Sequence, residues 1–224
     1  MQSFIKSFNS SVLECWDSKA LSQFRARELT YSELAREMAV LQDMWAKAGL
    51  RPGDKIAINA KSSVNWMTVF MASATGGYVS VQLFNGFLPA DTMSLVAHSD
   101  SRILYTEKGI FSAMDFEAMP QLLAAIDTET NEVLASRDGF DRLFESRYED
   151  FDAVYPDGYS RQDFQARLNA SREIGLDDMC AIMYTSGSTG NPKGVMLQVK
   201  NFSANVELVT REFPMYRGEN HLTV

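Results

Sequence analysis

The chain has 224 residues and a net charge of −8, with 46% hydrophobic and 22% charged residues. That balance suits a soluble fold with a real core, in one large domain or one and a half ordinary ones. It argues against nucleic acid as a main partner, because phosphate backbones are met by clustered Lys and Arg. Cys15 and Cys180 lie far apart, and the histidines are only His98 and His221. Nothing there suggests a disulfide framework, a zinc cluster or a Ser-His-Asp triad, and a reducing cytoplasm is the expected home.

Phe4, Phe8 and Val12 share one helical face and predict an opening amphipathic helix. Residues 1–11 lack the long apolar core of a signal peptide. Thr30-Tyr31-Ser32-Glu33 reads as a capping box, followed by the apolar stripe Leu34, Met38, Leu41 and Trp45, with Gly49 as terminator. Arg51-Pro52-Gly53-Asp54 is a turn into a strand over 55–59. A helix over 64–74, a strand over 78–83, a helix over 90–98 and a strand over 102–106 follow. Residues 62–90 carry no charge. Their Asn, Ser, Thr, Gln and paired Gly residues fit a buried helix running into a buried strand better than a membrane span. His98, at a helix end, reads as a capping or surface residue.

This β-α-β-α-β order with short connections predicts an α/β fold, a mostly parallel sheet flanked by helices. Further on, the pattern predicts a helix over 118–126 and a short strand over 132–135. Residues 138–175, with a turn at Tyr155-Pro156-Asp157-Gly158, read as irregular or loosely helical.

The sharpest signal is Tyr184-Thr185-Ser186-Gly187-Ser188-Thr189-Gly190-Asn191-Pro192-Lys193-Gly194-Val195, between an apolar strand over 179–183 and a second strand over 195–199. Hydroxyls, flexible glycines and one lysine suit a loop that wraps nucleotide phosphates. A Walker loop needs Gly-Lys-Ser/Thr and a following helix. Here Lys193 stands between Pro192 and Gly194, so that reading fails. On composition alone a plain connector is the competing reading. Cys180 reads as a buried structural thiol.

The loop resembles the signature of the adenylate-forming enzymes: acyl-CoA synthetases, luciferases and peptide-synthetase adenylation domains. The likeness extends through Leu29-Thr30-Tyr31-Ser32-Glu33-Leu34, Gly53-Asp54-Lys55-Ile56-Ala57-Ile58, Gly76-Gly77-Tyr78-Val79-Ser80-Val81 and residues 97–105, with long-chain fatty acyl-CoA ligases the nearest subgroup. Gln82 and Val199 depart from it, standing where many relatives have proline and histidine.

The resemblance implies the N-terminal portion of the large domain: an α/β lobe over 1–176, then a strand–loop–strand and the start of a truncated subdomain over 177–224. It implies that ATP and a carboxylate, a fatty acid in this subgroup, give an acyl adenylate, which coenzyme A then receives. By the same resemblance Thr185, Ser186, Gly187, Ser188, Thr189, Gly190 and Lys193 hold the ATP phosphates, Lys193 is the catalytic residue and Thr185 touches Mg2+. Small molecules are the expected partners, with transient membrane-surface contact and no transmembrane segment. A fragment lacking the downstream adenine, ribose and magnesium residues is expected to be inactive alone. The alternatives are a fatty acyl-AMP ligase, an amino-acid adenylation domain, or a non-catalytic α/β binding module that retains the loop.

Overall fold

The computed structural model describes residues 1–185, 192–213 and 218–219. It begins with helix α1 (Phe4–Glu14), whose Phe4 and Val12 are buried on the expected face. Strands β1 (Lys19–Ser22) and β2 (Glu28–Thr30) then pair antiparallel. Helix α2 (Tyr31–Lys47) starts at the expected capping box: the Glu33 amide donates to Thr30 Oγ1 at 3.2 Å, and the Thr30 amide donates to Glu33 Oε2 at 2.7 Å. After the helix, Gly49 takes φ +85°, the left-handed geometry that turns the chain away.

The central unit follows as β3 (Lys55–Asn59), α3 (Val64–Gly76), β4 (Val79–Gln82), α4 (Pro89–His98) and β5 (Ser101–Thr106). Ser63 caps α3 by accepting from the Trp66 amide at 3.0 Å, and Pro89 opens α4, where its missing N–H costs nothing. Beyond come the short α5 (Lys108–Phe111), β6 (Ala124–Asp127), β7 (Val133–Ser136), α6 (Phe140–Val154) and α7 (Arg161–Ala170). Strands β8 (Met179–Thr185) and β9 (Lys193–Gln198) lead into α8 (Val199–Glu212).

Seven strands form one sheet in the order β7-β6-β5-β3-β4-β8-β9. The inner five are parallel, and β7 and β9 pair antiparallel at the two edges. Central strands covered on both faces need apolar side chains on both, which is why Ile56, Ala57 and Ile58 are all fully buried. One face packs Ile56, Ile58, Ile103 and Tyr105 with Trp45 and Phe140; the other packs Ala57, Val81 and Leu104 with Leu95 and Val96 of α4. Helices α1 and α8 join the first of these clusters through Phe4, Ile5 and Val199, and the Phe4 amide donates to Ser203 Oγ at 3.0 Å.

Three expectations need correction. Residues 118–126 are not a helix: a 3-10 turn covers Phe116–Ala118 and Ala124–Asp127 is β6. Pro120 interrupts the helix, and β5 offers an unpaired edge that Ala124 and Ile126 fill. Residues 138–175 hold two definite helices, because Phe140, Phe144 and Phe151 form a buried stripe and Ser160 caps α7. The strand predicted over 195–199 is β9 over Lys193–Gln198, and Val199 already belongs to α8, where the Gln198 amide donates to Asn201 Oδ1 at 2.8 Å. The β1–β2 hairpin was not predicted. Residues 62–90 behave as expected, and among the described residues no helix is long and apolar enough to cross a membrane.

Candidate functional site

From β3 the chain steps to β4 on one side and then crosses to β5 on the other. Open α/β sheets take ligands in the crevice beyond the carboxyl ends of strands that part in this way. Polar residues close the five parallel strands at that end: Asn59, Gln82, Thr106, Asp127 and Thr185.

Two regions at this end differ in character. Beyond β3, β5 and β6 lies a cavity of about 400 Å³ whose walls include Arg27, Lys61, Ser63, Asn65, Glu107 and Thr128. Its polar groups largely satisfy one another. Arg27 Nη1 donates to Asn65 Oδ1 at 2.6 Å, Asn65 Nδ2 donates to the Thr128 carbonyl at 2.8 Å, and Arg27 Nη2 lies 3.0 Å from Glu37 Oε1. Nearby Asp127 is a structural anchor. Burial works to raise its carboxyl, but hydrogen bonds from the Thr130 hydroxyl and the Lys108 and Thr130 amides outweigh that and hold it below the usual carboxylate range.

The second region is the β8–β9 hairpin. The ladder pairs Ile182 with Met196, Met183 with Val195, Tyr184 with Gly194 and Thr185 with Lys193. Of the sequence-predicted site residues, the structure therefore brings Thr185 and Lys193 side by side, the last pair before the intervening loop. Ser186, Gly187, Ser188, Thr189 and Gly190 lie outside the described residues. Thr185 and Lys193 are both exposed, and Lys193 has no carboxylate partner among the described residues. A hydroxyl donor and a free ammonium at one point suit an anion.

Strand alternation sends the neighbouring pair to the opposite face. There Tyr184 is buried, while Thr185 and Met183 on either side of it are exposed. The Tyr184 hydroxyl lies 2.6 Å from His98 Nδ1, with the two rings edge to face at 5.8 Å. Burial, and then the charge of Asp100, push that hydroxyl above its ordinary value. Gly194 leaves room for the ring: a Cβ there would meet Tyr184 Cε1 at 3.2 Å and Ile182 Cγ2 at 3.1 Å. His98 is exposed at the end of α4, as expected of a surface residue, and its Nδ1 also reaches the strand that carries the site. A glycine opposite an aromatic across a short hairpin was the available signal for Gly194. No local pattern links His98 to a residue 86 positions away.

Among the described residues no group of three or more His, Cys, Asp or Glu side chains could hold a metal ion. Cys180, buried in β8, is a structural thiol as expected.

Residues 10–223 match the family model described as AMP-binding enzyme. The chain is 31% identical over 185 residues to naringenin synthase of Pestalotiopsis fici, covering 83% of this chain and 6% of that protein. It is 30% identical over 195 residues to feruloyl-CoA synthase of Amycolatopsis sp, covering 87% of this chain and 33% of that protein. The crystal structure of coronafacic acid ligase from Pectobacterium brasiliense superposes with a TM-score of 0.69 at 17% identity, covering 94% of this chain and 37% of that one. The chain spans a third or less of the curated relatives it matches first. The likeness in fold is to the N-terminal domain of adenylate-forming enzymes.

Proposed function

The chain belongs to the AMP-binding enzyme family, and from that premise we propose that it is the phosphate-gripping part of an AMP-forming acid–thiol ligase. The observation that carries this reading is the pairing of Thr185 with Lys193 at the end of the β8–β9 ladder. In the proposed reaction a carboxylate oxygen attacks the α-phosphorus of ATP, and the bond from that phosphorus to the pyrophosphate oxygen breaks. The thiol sulfur of coenzyme A then attacks the acyl carbon, and AMP leaves.

Both steps depend on placement and neutralisation of charge. Thr185, Ser186, Ser188 and Thr189, with the amides around Gly187 and Gly190, hold the β- and γ-phosphates. Lys193 offsets the charge that builds on departing pyrophosphate. The neutral Thr185 hydroxyl fits a magnesium ion only in company with phosphate oxygens and water, which such an ion ordinarily keeps; the ion would supply further charge neutralisation there. Residues 1–176 serve as the α/β lobe, and 177–224 as the strand–loop–strand and beginning of the next subdomain. The reaction takes place in the cytoplasm.

The substrate is a carboxylic acid, and a fatty acid is the first reading. A ring-bearing acid is the second, favoured by the 30% identity to feruloyl-CoA synthase. Because the chain spans so little of its relatives, the 224 residues alone do not form acyl adenylate. The test is ATP–pyrophosphate exchange by the full-length parent carrying Lys193→Ala or Thr185→Ala, with a fatty acid and a cinnamic-type acid offered in turn. Exchange undiminished in both variants refutes the phosphate role, and turnover by the isolated chain refutes the inactivity of the fragment.

A further inference from the structure

Tyr184 is held on two sides. Its hydroxyl is tied to His98 Nδ1 at 2.6 Å, and its ring lies against the bare backbone of Gly194 in the paired strand. His98 is the last residue of α4, and α4 is itself fixed by Leu95 and Val96, both buried in the core beneath it. The chain runs from this fixed ring directly into Thr185, one planar peptide unit away. With Tyr184 restrained, the direction in which Thr185 leaves the strand is restrained too. Gly194 stands in the same relation to Lys193 on the other strand, so the ring steadies both members of the exposed pair.

We propose that His98 is a positioning residue: through the Tyr184 hydroxyl it fixes Thr185, and with it the Thr185–Lys193 pair, in place for an anionic phosphate ligand. The inference rests on the phosphate role given to that pair. It adds a residue from another element, 86 positions away in the chain, that acts through Tyr184. A hydrogen bond of this kind is worth enough to change affinity roughly three- to tenfold, provided the coupling runs through Thr185.

The experiment is an NMR titration of the 224-residue chain with inorganic pyrophosphate, read at the Thr185 and Lys193 amides. NMR follows millimolar binding, so weak affinity is no obstacle. His98→Ala and Tyr184→Phe are each expected to weaken binding roughly three- to tenfold, and the two together no more than either alone. His98→Asn, whose side-chain amide can present either an acceptor oxygen or a donor nitrogen where Nδ1 stood, restores binding to within about twofold of the parent chain. In a Thr185→Ala background the effect of His98→Ala shrinks to the part carried through Lys193. Parent-like binding by His98→Ala overturns the proposal. So does a loss that persists undiminished in the Thr185→Ala background, since His98 then acts by another route. Tyr184→Phe keeps the ring and the core packing, which guards against a result caused by misfolding alone. A Thr185→Ala chain that binds pyrophosphate as tightly as the parent instead removes the phosphate role itself. That failure is read from the Thr185 variant before any His98 variant is made.

Discussion

Thr185 and Lys193 are direct partners in the β8–β9 ladder, so a hydroxyl and an ammonium leave the sheet from opposite strands at a single point. Both side chains are exposed, and Lys193 has no ion pair among the described residues to lose. Its removal therefore separates chemistry from stability. Under the proposed function, Lys193→Ala in an active ligase that contains this chain is expected to slow adenylate formation by about a hundredfold, the usual cost of removing one preorganised electrostatic contact. Stability should change by no more than about 0.5 kcal/mol, as for an ordinary surface substitution. Pyrophosphate exchange and a urea melt on the same sample check both halves. A stability loss matching the activity loss would show that Lys193 has a structural role.

Gly194 makes the opposite prediction, stability changing with only a methyl group. A Cβ there would lie 3.1 Å from Ile182 Cγ2 and 3.2 Å from Tyr184 Cε1, tighter than ordinary contact. Ring and strand must yield by a few tenths of an ångström. Gly194→Ala should cost about 1 kcal/mol and Gly194→Val about 2–3 kcal/mol in urea unfolding. β-propensity alone predicts the reverse, since valine favours strands and glycine does not. A more stable valine variant would show that Tyr184 is free to move aside.

These two residues also mark how far the sequence could be read. The β3–α3–β4–α4–β5 unit was legible because its signals are local: Thr30 and Glu33 cap α2 within four residues, and Ile56, Ala57 and Ile58 form an unbroken apolar run. Leu122 to Ile126 carry the composition of a helix, and what makes them a strand is the free edge of β5, a partner that local pattern does not reveal. The β1–β2 hairpin is short and polar, and its turn at Arg25 takes φ +54°, a geometry with no glycine to announce it. Thr185 and Lys193 were legible as loop residues, but their register was not, nor was the contact of His98 with Tyr184.

Trp45 tests whether the α2 stripe is the centre of the core or its margin. It is fully buried, edge to face with Tyr78 at 5.3 Å and with Tyr105 at 6.5 Å, and so joins α2 to the residue just before β4 and to one near the carboxyl end of β5. Trp45→Ala should cost about 3–5 kcal/mol, a large share of the 5–15 kcal/mol typical of a folded domain. Trp45→Phe keeps most of the apolar contact and should cost clearly less. The midpoint of urea unfolding measures both, and an alanine variant within about 1 kcal/mol of the parent would place Trp45 at a site that collapses freely.

Cys180 gives a prediction in pH. It is 1% exposed in β8, with its sulfur 3.7 Å from the Leu197 carbonyl, and burial pushes its thiol from an ordinary 9.0 up to about 12. The folded chain thus holds this proton more tightly than the unfolded chain does. The stability so contributed is complete below pH 9, where both states keep the proton. It is lost between pH 9 and 12, at up to about 1.4 kcal/mol per pH unit, as the unfolded thiol ionises and the folded one does not. Buried tyrosines titrate in the same range, so the difference between the parent chain and Cys180→Ala isolates the thiol: the variant should lose stability less steeply above pH 9. At pH 8 an aromatic disulfide reagent should label the half-buried Cys15 and leave Cys180 untouched until denaturant is added. Labelling of Cys180 at the rate of Cys15 in the native chain would mean that β8 and β9 separate readily, and the Thr185–Lys193 pairing would then be transient as well.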